Sequence, residues 1–434
     1  MCNNKLLNNN NNISFVVKNY LCNSCGACYS SCNSEAIEFY ETVGGYIFPK
    51  IHKGKCNNCG VCLKICPGLG FGKSLKRSLP PDPFKGNIEG CFIGKATNLE
   101  IFENSQSGGV VTSILSHLFK TQKIDIAILT VMKKQVPPRG DVLLVRSEKQ
   151  LALTQKSKYT PIPILKAIRK IEKTNEKFAL VGLSCHIHGL FNYFDLFKSM
   201  NNKCILKIGL VCDRVLTTSA LDYLSYYYSE YDNTKSIVFR DKSKPSYPGN
   251  TVIYTNTGKE TVLPPKYRMA IKEYFTPARC RVCFDKMNVF SDITVCDPHG
   301  IQDVDRIRGE SAVIARTQKG REVIDYAQRE GYVILRKVQA EEIFTGQKID
   351  EKRSNWTQFI SSWSRALKVT PDYGSLEISN NLNSNRKIDK DLQMSVELNE
   401  FKDRKVLLRH HRRLIMYKFI SRGIKKIVRN VFRF

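Results

Sequence analysis

The run Cys22-Asn23-Ser24-Cys25-Gly26-Ala27-Cys28-Tyr29-Ser30-Ser31-Cys32 is echoed by Cys56-Asn57-Asn58-Cys59-Gly60-Val61-Cys62-Leu63-Lys64-Ile65-Cys66-Pro67. Both follow the spacing C-x2-C-x2-C-x3-C. Three cysteines so spaced wrap one iron–sulfur cube on a tight loop, and the fourth reaches the neighbouring cube. The pattern therefore predicts two [4Fe–4S] clusters with crossed ligands. One takes Cys22, Cys25, Cys28 and Cys66; the other takes Cys56, Cys59, Cys62 and Cys32. Gly26 and Gly60 fall between the second and third ligands, where the backbone must hug the cube and a side chain would intrude. A pair of four-cysteine zinc sites would instead show paired C-x2-C knuckles. The first run ends Cys32-Asn33 without the usual proline, which loosens a turn but removes no ligand. Residues 36–39 and 45–49 read as a small hairpin over the clusters, completing a ferredoxin-type module at 14–74.

The rest of the chain is long enough for further domains, with 434 residues, 42% hydrophobic and 25% charged. No apolar run approaches the roughly 18–20 residues of a membrane span. The start is polar and Asn-rich from Asn3 to Asn12, without the apolar core of an export signal. A cytoplasmic, reducing location follows, and it suits sixteen cysteines spaced as metal ligands rather than as disulfides. The net charge of +28 has a hot spot: residues 404–434 hold eleven Lys/Arg and no acid, leaving +17 for the other 403.

Residues 67–90 read as a Pro/Gly/Lys-rich linker. Beyond them helical and strand patterns alternate over 88–345. Residues 108–120 and 162–173 read as helices; 124–132, 178–183, 203–211 and 293–296 read as buried strands. This alternation predicts an α/β domain with a largely parallel core. Cys185 and Cys212 each follow such a strand, at the rim where ligands bind in open α/β sheets. With Cys280 and Cys283 they would complete a third four-thiolate [4Fe–4S] site. The alternative is that Cys185 and Cys212 are small buried apolar residues. Ser105-Gln106-Ser107-Gly108-Gly109 opens the first helix, and its hydroxyls and glycines suit either an anion site or an ordinary helix cap.

Seven ordered motifs carry a resemblance. They are Gln106-Ser107-Gly108-Gly109-Val110-Val111-Thr112, Lys156-Ser157-Lys158-Tyr159, Val181-Gly182-Leu183-Ser184-Cys185, Ile208-Gly209-Leu210-Val211-Cys212, Phe239-Arg240-Asp241-Lys242, Ala278-Arg279-Cys280-Arg281-Val282-Cys283 and Ser291-Asp292-Ile293-Thr294-Val295-Cys296-Asp297. In this order, over about residues 14–345, the chain resembles the coenzyme F420 hydrogenase/dehydrogenase beta-subunit family with its fused ferredoxin module. The resemblance implies a domain with an N-terminal part at 88–170 and a C-terminal part at 171–345. It implies FAD beside the third cluster, a deazaflavin or other two-electron substrate, and Ser107, Gly108, Gly109 and Lys158 lining the flavin site. A flavin takes up a hydride and releases electrons singly, whereas a cluster handles single electrons.

Two departures stand out. Ser184-Cys185-His186 replaces the family's Pro-Cys-Gln, and Cys296-Asp297 replaces Gly-Asp. Both lie beside the expected cofactors and leave the substrate open. His186 and His299 are candidate catalytic proton donors, with His188 a third; Cys296 reads as a spare ligand or a buried bystander, and Cys2, Cys91 and Cys204 receive no role. The tail, residues 400–434, carries Met416, Ile420, Ile424, Ile427 and Val431 at helical spacing with Arg and Lys opposite. It suits an anionic membrane surface, here the inner face, or docking on the chain's own flank or a partner subunit. Nucleic acid is not expected. The fold class is thus α/β (α+β overall): a ferredoxin-like module, a flavin-binding α/β domain and a basic helix. The implied activity is a flavin- and iron–sulfur-dependent oxidoreductase, exchanging electrons with a carrier protein or partner redox subunit. The alternative is a non-catalytic electron-transfer subunit.

Overall fold

The computed structural model describes residues 11–71, 80–242, 248–367, 369–374, 376 and 385–431, with backbone alone at 419 and 421–431. Residues 3–10 of the Asn-rich lead, and Cys2, lie outside them. Each cysteine run turns on a left-handed glycine, Gly26 (φ 92°) or Gly60 (φ 73°), into a one-turn helix, Ala27–Ser30 or Val61–Lys64. Between the runs, β1 (Ile37–Glu41) and β2 (Ile47–Ile51) pair antiparallel as the predicted hairpin. A Cβ at Gly26 would meet Lys166 N and Pro163 O at 2.7 Å, whereas at Gly60 the nearest atoms belong to Asn11 at 3.8 Å. The crowding at Gly26 comes from the large domain pressed on the loop.

That domain is built from β3 (Gly90–Ala96), β4 (Ile126–Lys133), β5 (Arg139–Val145), β6 (Phe178–Gly182), β7 (Cys204–Leu210), β8 (Thr234–Asp241), β9 (Asn250–Thr255), β10 (Glu260–Leu263), β11 (Ile293–Cys296), β12 (Ser311–Ala315) and β13 (Val333–Lys337). Eight strands form one sheet in the order β13-β3-β12-β11-β7-β6-β4-β5. Its centre, β11-β7-β6-β4, is parallel. Phe178, Ala179, Leu180 and Ile293 are fully buried there, as strands covered on both faces require. The flanks are antiparallel, so the parallel core is four strands rather than the whole sheet. Strands β8–β10 make a separate antiparallel sheet.

The longer helices are α1 (Val110–Lys120), α2 (Ser184–Leu196), α3 (Ser219–Tyr228), α4 (Gln318–Arg329), α5 (Ile349–Ala366), α6 (Arg386–Glu397) and α7 (Arg404–Val431). Val110, Ile114, Leu115 and Leu118 of α1 join Ile324 and Ala327 of α4 in a core on one side of the sheet. The other core is continuous with the ferredoxin module: Phe15, Leu21, Phe48 and Leu63 share it with Ile187, Leu190 and Tyr223. Among the described residues, no helix is long and apolar enough to cross a membrane.

Two sequence expectations change, and one of the alternatives open for the tail is met in its first half. The linker starts as structure: Pro67–Leu69 form a 3-10 turn, and Phe71, fully buried, donates its N–H to Asp372 O at 2.7 Å. The helix expected over 162–173 is only a 3-10 turn (Ile164–Ala167) and one α turn (Ile168–Ile171). Pro161 and Pro163 lack N–H groups, and Leu165 is diverted to the ferredoxin module, donating to Cys25 O at 2.9 Å and accepting from Ser30 Oγ at 2.6 Å. For the tail, the first half of α7 takes the own-flank alternative and docks on the chain itself. Leu407, Leu408 and Ile415 are buried, while Arg404 joins Glu41, Arg139 and Asp222 in an ion-pair cluster tying the hairpin, β5 and α3 together. Met416 and Ile420 are exposed; the side chains of Ile424, Ile427 and Val431 lie outside the described residues.

Candidate functional site: three thiolate sets and a cavity

Cys22, Cys25, Cys28 and Cys66 line one small cavity, together with Gly26, Pro67 and Gly68. Burial pushes the Cys25 thiol up to about 11 and Cys66 to about 12. Thiols so buried become thiolates only with positive charge beside them, which iron supplies. Cys62 lies within electrostatic reach of Cys32 and Cys59, and burial lifts it to about 12. Cys59 is exposed, so this second set marks the surface end of the module.

Cys185 starts just beyond β6, at the first turn of α2, and Cys212 follows β7. Cys212 donates its N–H to Lys286 O at 2.9 Å, which ties the end of β7 to the Cys280–Lys286 loop. Asn288 Nδ2 pins both strand ends, donating to Gly182 O at 2.9 Å and Leu210 O at 3.3 Å. Burial raises the Cys185 thiol far above its ordinary value, and Cys25, Cys212, Cys280 and Cys283 act on it in the same sense. The thiols expected to form the third set thus lie within electrostatic reach of Cys185, as does Cys25 of the first. Among the described residues no three His, Cys, Asp or Glu side chains converge as ligands of a single ion; a four-iron cube takes its thiolates at separate corners.

A cavity of about 970 Å³ opens at the same rim. Its wall runs from Ser107, Gly109 and Val110 past Lys158 and Thr160 to Cys212 and Cys280. Thr160 Oγ1 is buried on this wall without a hydrogen-bond partner. Gly109 (φ 77°) caps α1, whose first-turn amides have no partner within the helix. Gly108 does not reach the wall. Its N–H binds Ser311 Oγ at 3.0 Å, and a Cβ there would strike Gly94 O at 2.4 Å, so this glycine serves the packing of the turn on β3 and β12. Lys158 points its ammonium at the carbonyls of Thr154, Gln155 and Lys156 at 2.5, 2.9 and 2.8 Å. Burial lowers its pKa to about 7. Lys158 thus braces the loop that forms the wall.

The histidines separate. His186 Nδ1 accepts from Leu183 N–H at 3.1 Å, and burial lowers its pKa to about 4. Its Nδ1 thus caps the first turn of α2, while the ring also lines the cavity. His188 is buried against Phe71 with ring centroids 3.9 Å apart, and burial takes it to about 3. His299 is half-exposed on the cavity wall, with Nε2 3.7 Å from Asp297 Oδ2. Asp297 is held below its ordinary pKa by the adjacent Arg240 guanidinium, 2.5 Å away. Sequence reasoning missed the far wall, where α5 contributes Lys352, Trp356 and Phe359. The buried Trp356 and Phe359 of α5, a turn apart, were the available signal.

Fold and thiolate sets together define an iron–sulfur electron-transfer protein in which a ferredoxin module is packed on an α/β domain. Residues 21–68 match the 4Fe-4S dicluster domain, which makes the two opening runs iron–sulfur rather than zinc sites. Residues 91–169 and 175–341 match the N-terminal and C-terminal parts described as coenzyme F420 hydrogenase/dehydrogenase, beta subunit. The chain belongs to that family, which forms part of F420-dependent oxidoreductase complexes. It is 27% identical over 334 residues to a subunit of the F(420)H(2) dehydrogenase of Methanosarcina mazei, covering 73% of this chain and 85% of that one. It is 27% identical over 389 residues to the coenzyme F420-dependent sulfite reductase of Methanocaldococcus jannaschii, covering 83% of this chain but 54% of the relative. The chain thus spans about half of that relative's length. A chain from the F420-reducing [NiFe] hydrogenase complex of Methanosarcina barkeri shares the fold, with a TM-score of 0.52 at 17% identity over 67% of this chain and 98% of that one.

Proposed function

We propose that this chain conducts single electrons between its surface and a bound FAD, which exchanges a hydride with a coenzyme F420-like or other two-electron substrate. The observation that carries this reading is the continuous cavity joining the N-terminus of α1 to Cys212 and Cys280. The exposed set (Cys32, Cys56, Cys59, Cys62) holds the outer [4Fe–4S] cluster, the buried set (Cys22, Cys25, Cys28, Cys66) the inner one, and Cys185, Cys212, Cys280 and Cys283 a third. FAD in the cavity supplies the conversion between hydride and single electrons. The residues present fit it: α1 directs its first-turn amides at an anion, Ser107 and Gly109 line the wall beside them, and the unpartnered Thr160 hydroxyl offers a hydrogen bond. His299, with Nε2 3.7 Å from Asp297 Oδ2 on the cavity wall, is the candidate proton donor. Arg240 fixes Asp297 by two contacts to its carboxylate.

Electrons pass to or from a carrier protein or partner redox subunit at the exposed set. The chain works in the cytoplasm, with the basic tail and the exposed Met416, Tyr417 and Ile420 against the inner membrane face. Anaerobic purification with iron, sulfide and flavin counted per chain tests the reading. About twelve irons, twelve sulfides and one FAD are expected for three four-iron clusters and one flavin. A chain that neither holds FAD nor takes it up on reconstitution sinks it. The second reading, a non-catalytic electron-transfer subunit, is favoured by Gly108 N–H and the Lys158 ammonium already being satisfied within the chain. Turnover of a deazaflavin or nicotinamide by the isolated chain excludes it.

A further inference from the structure

Arg279 stands immediately before Cys280 and is only 1% exposed. A guanidinium stays charged at any working pH, and burying it without a compensating charge is costly. Of the other deeply buried arginines, Arg240 meets Asp297 and Arg281 meets Glu273, whereas Arg316 hydrogen-bonds to neutral oxygens with Asp285 within electrostatic reach. Among the described residues Arg279 hydrogen-bonds only to neutral oxygens. Nε donates to Gly68 O at 3.0 Å and Nη2 to Pro67 O at 3.3 Å. Nη1 donates to Tyr373 Oη at 3.1 Å and Val282 O at 3.4 Å.

Those oxygens have addresses. Pro67 and Gly68 directly follow Cys66, and Val282 lies between Cys280 and Cys283. One guanidinium therefore bridges the loop of the inner ferredoxin set and the loop of the third set. Four thiolates outweigh the positive core of a cube, so each loaded site is anionic and becomes more so on reduction. The missing counter-charge of Arg279 and the excess charge of the two sites are complementary.

We propose that Arg279 is the shared counter-ion of the inner and third clusters, a positioning residue that raises both reduction potentials together and so keeps electron transfer between them balanced. The proposal rests on the three-cluster reading above. A purely structural tie between the two loops is the competing account.

The test compares the full-length chain with Arg279→Gln and Arg279→Lys, all purified anaerobically. Iron and sulfide in the wild type are counted first. About eight of each rather than about twelve removes the third cluster, and the proposal with it, whatever the variants do. With the full complement, a reductive titration followed by electron paramagnetic resonance reads each cluster. In Arg279→Gln two of the three clusters should shift at least tenfold toward the oxidised state at a given potential, about 59 mV for one electron. The exposed cluster should stay in place. Arg279→Lys keeps the charge without the fork and should leave all three nearly unmoved. Unmoved potentials in Arg279→Gln, or an equal shift of all three, overturn the proposal. If Arg279→Gln fails to load its clusters, the lysine variant decides. Restored loading and potentials support a charge role, while failure alike in both variants shows a structural tie and overturns it.

Discussion

Trp356 offers a quantitative test of the far cavity wall. It lies on α5, is 2% exposed, and donates Nε1 to Val282 O at 3.1 Å, between two cysteines of the third set. Its ring meets Phe84 and Tyr373 edge-on, with centroids 5.6 and 5.1 Å apart. Trp356→Ala deletes a buried indole, for which core truncations give about 3–5 kcal/mol. The hydrogen bond adds about 0.5–1.5 kcal/mol, at the low end because Val282 O also accepts from Tyr373 and Arg279. Trp356→Phe keeps the edge contacts and most of the apolar area, and should cost only about 1–2 kcal/mol. Urea titrations of the anaerobic chain, read by far-ultraviolet circular dichroism with visible absorbance recorded alongside, give the two differences. A loss below ~1 kcal/mol for Trp356→Ala would refute the packing argument. Equal losses in both variants would show that the hydrogen bond, and not the buried ring, holds α5 in place.

Further outcomes follow from single contacts. If the ligands are crossed, Cys66→Ser should abolish the same resonance signal as Cys25→Ser, and Cys32→Ser the same signal as Cys59→Ser; pairing by sequence run instead would refute it. Asp297→Ala leaves the buried Arg240 guanidinium without its carboxylate and should cost about 3–5 kcal/mol in the urea midpoint. Between the folded pKa of Lys158, about 7, and its ordinary 10.5, the unfolded chain holds a proton that the folded chain has released. Stability should therefore rise with pH across that window, and the difference from Lys158→Met should grow by at most ~1.4 kcal/mol per pH unit; parallel profiles would contradict this. Removing residues 419–434 should abolish binding to anionic liposomes without changing the visible spectrum, whereas cutting at 404 also strips Leu407, Leu408 and Ile415 from the core.

The opening cysteine runs were legible because ligand spacing is local: a tight loop with a left-handed glycine needs nothing from the rest of the chain. The rim was legible for a related reason. Strands β6 and β7 are continuous apolar runs, so the cysteines that follow them must fall at their carboxyl ends. What stayed hidden depends on distant partners. The stretch 162–173 has helical periodicity, yet Leu165 donates to Cys25 O and accepts from Ser30 Oγ, more than 130 residues away. That the N–H of Leu183 occupies the Nδ1 of His186 shows only in the fold. Helix α5 carries no motif, and its part in the site comes from packing alone.

The junction between the two opening modules changes what the ferredoxin part is for. A Cβ on Gly189 of α2 would sit 3.4 Å from Cys25 Sγ and 2.9 Å from Leu165 Cδ1, so a strand-end helix of the large domain touches an inner ligand directly. Asn192, one turn further along α2, donates to Ile65 O, the residue before Cys66. Gly26 meets the backbone of Pro163 and Lys166 from the other side. Contacts this close allow no rigid-body slack, because any sliding would drive backbone into backbone. The ferredoxin module is therefore no tethered carrier swinging on a linker. Its buried thiolate set is fixed against the third set by one shared core, and exposure increases only toward Cys59, the end at which a partner can approach.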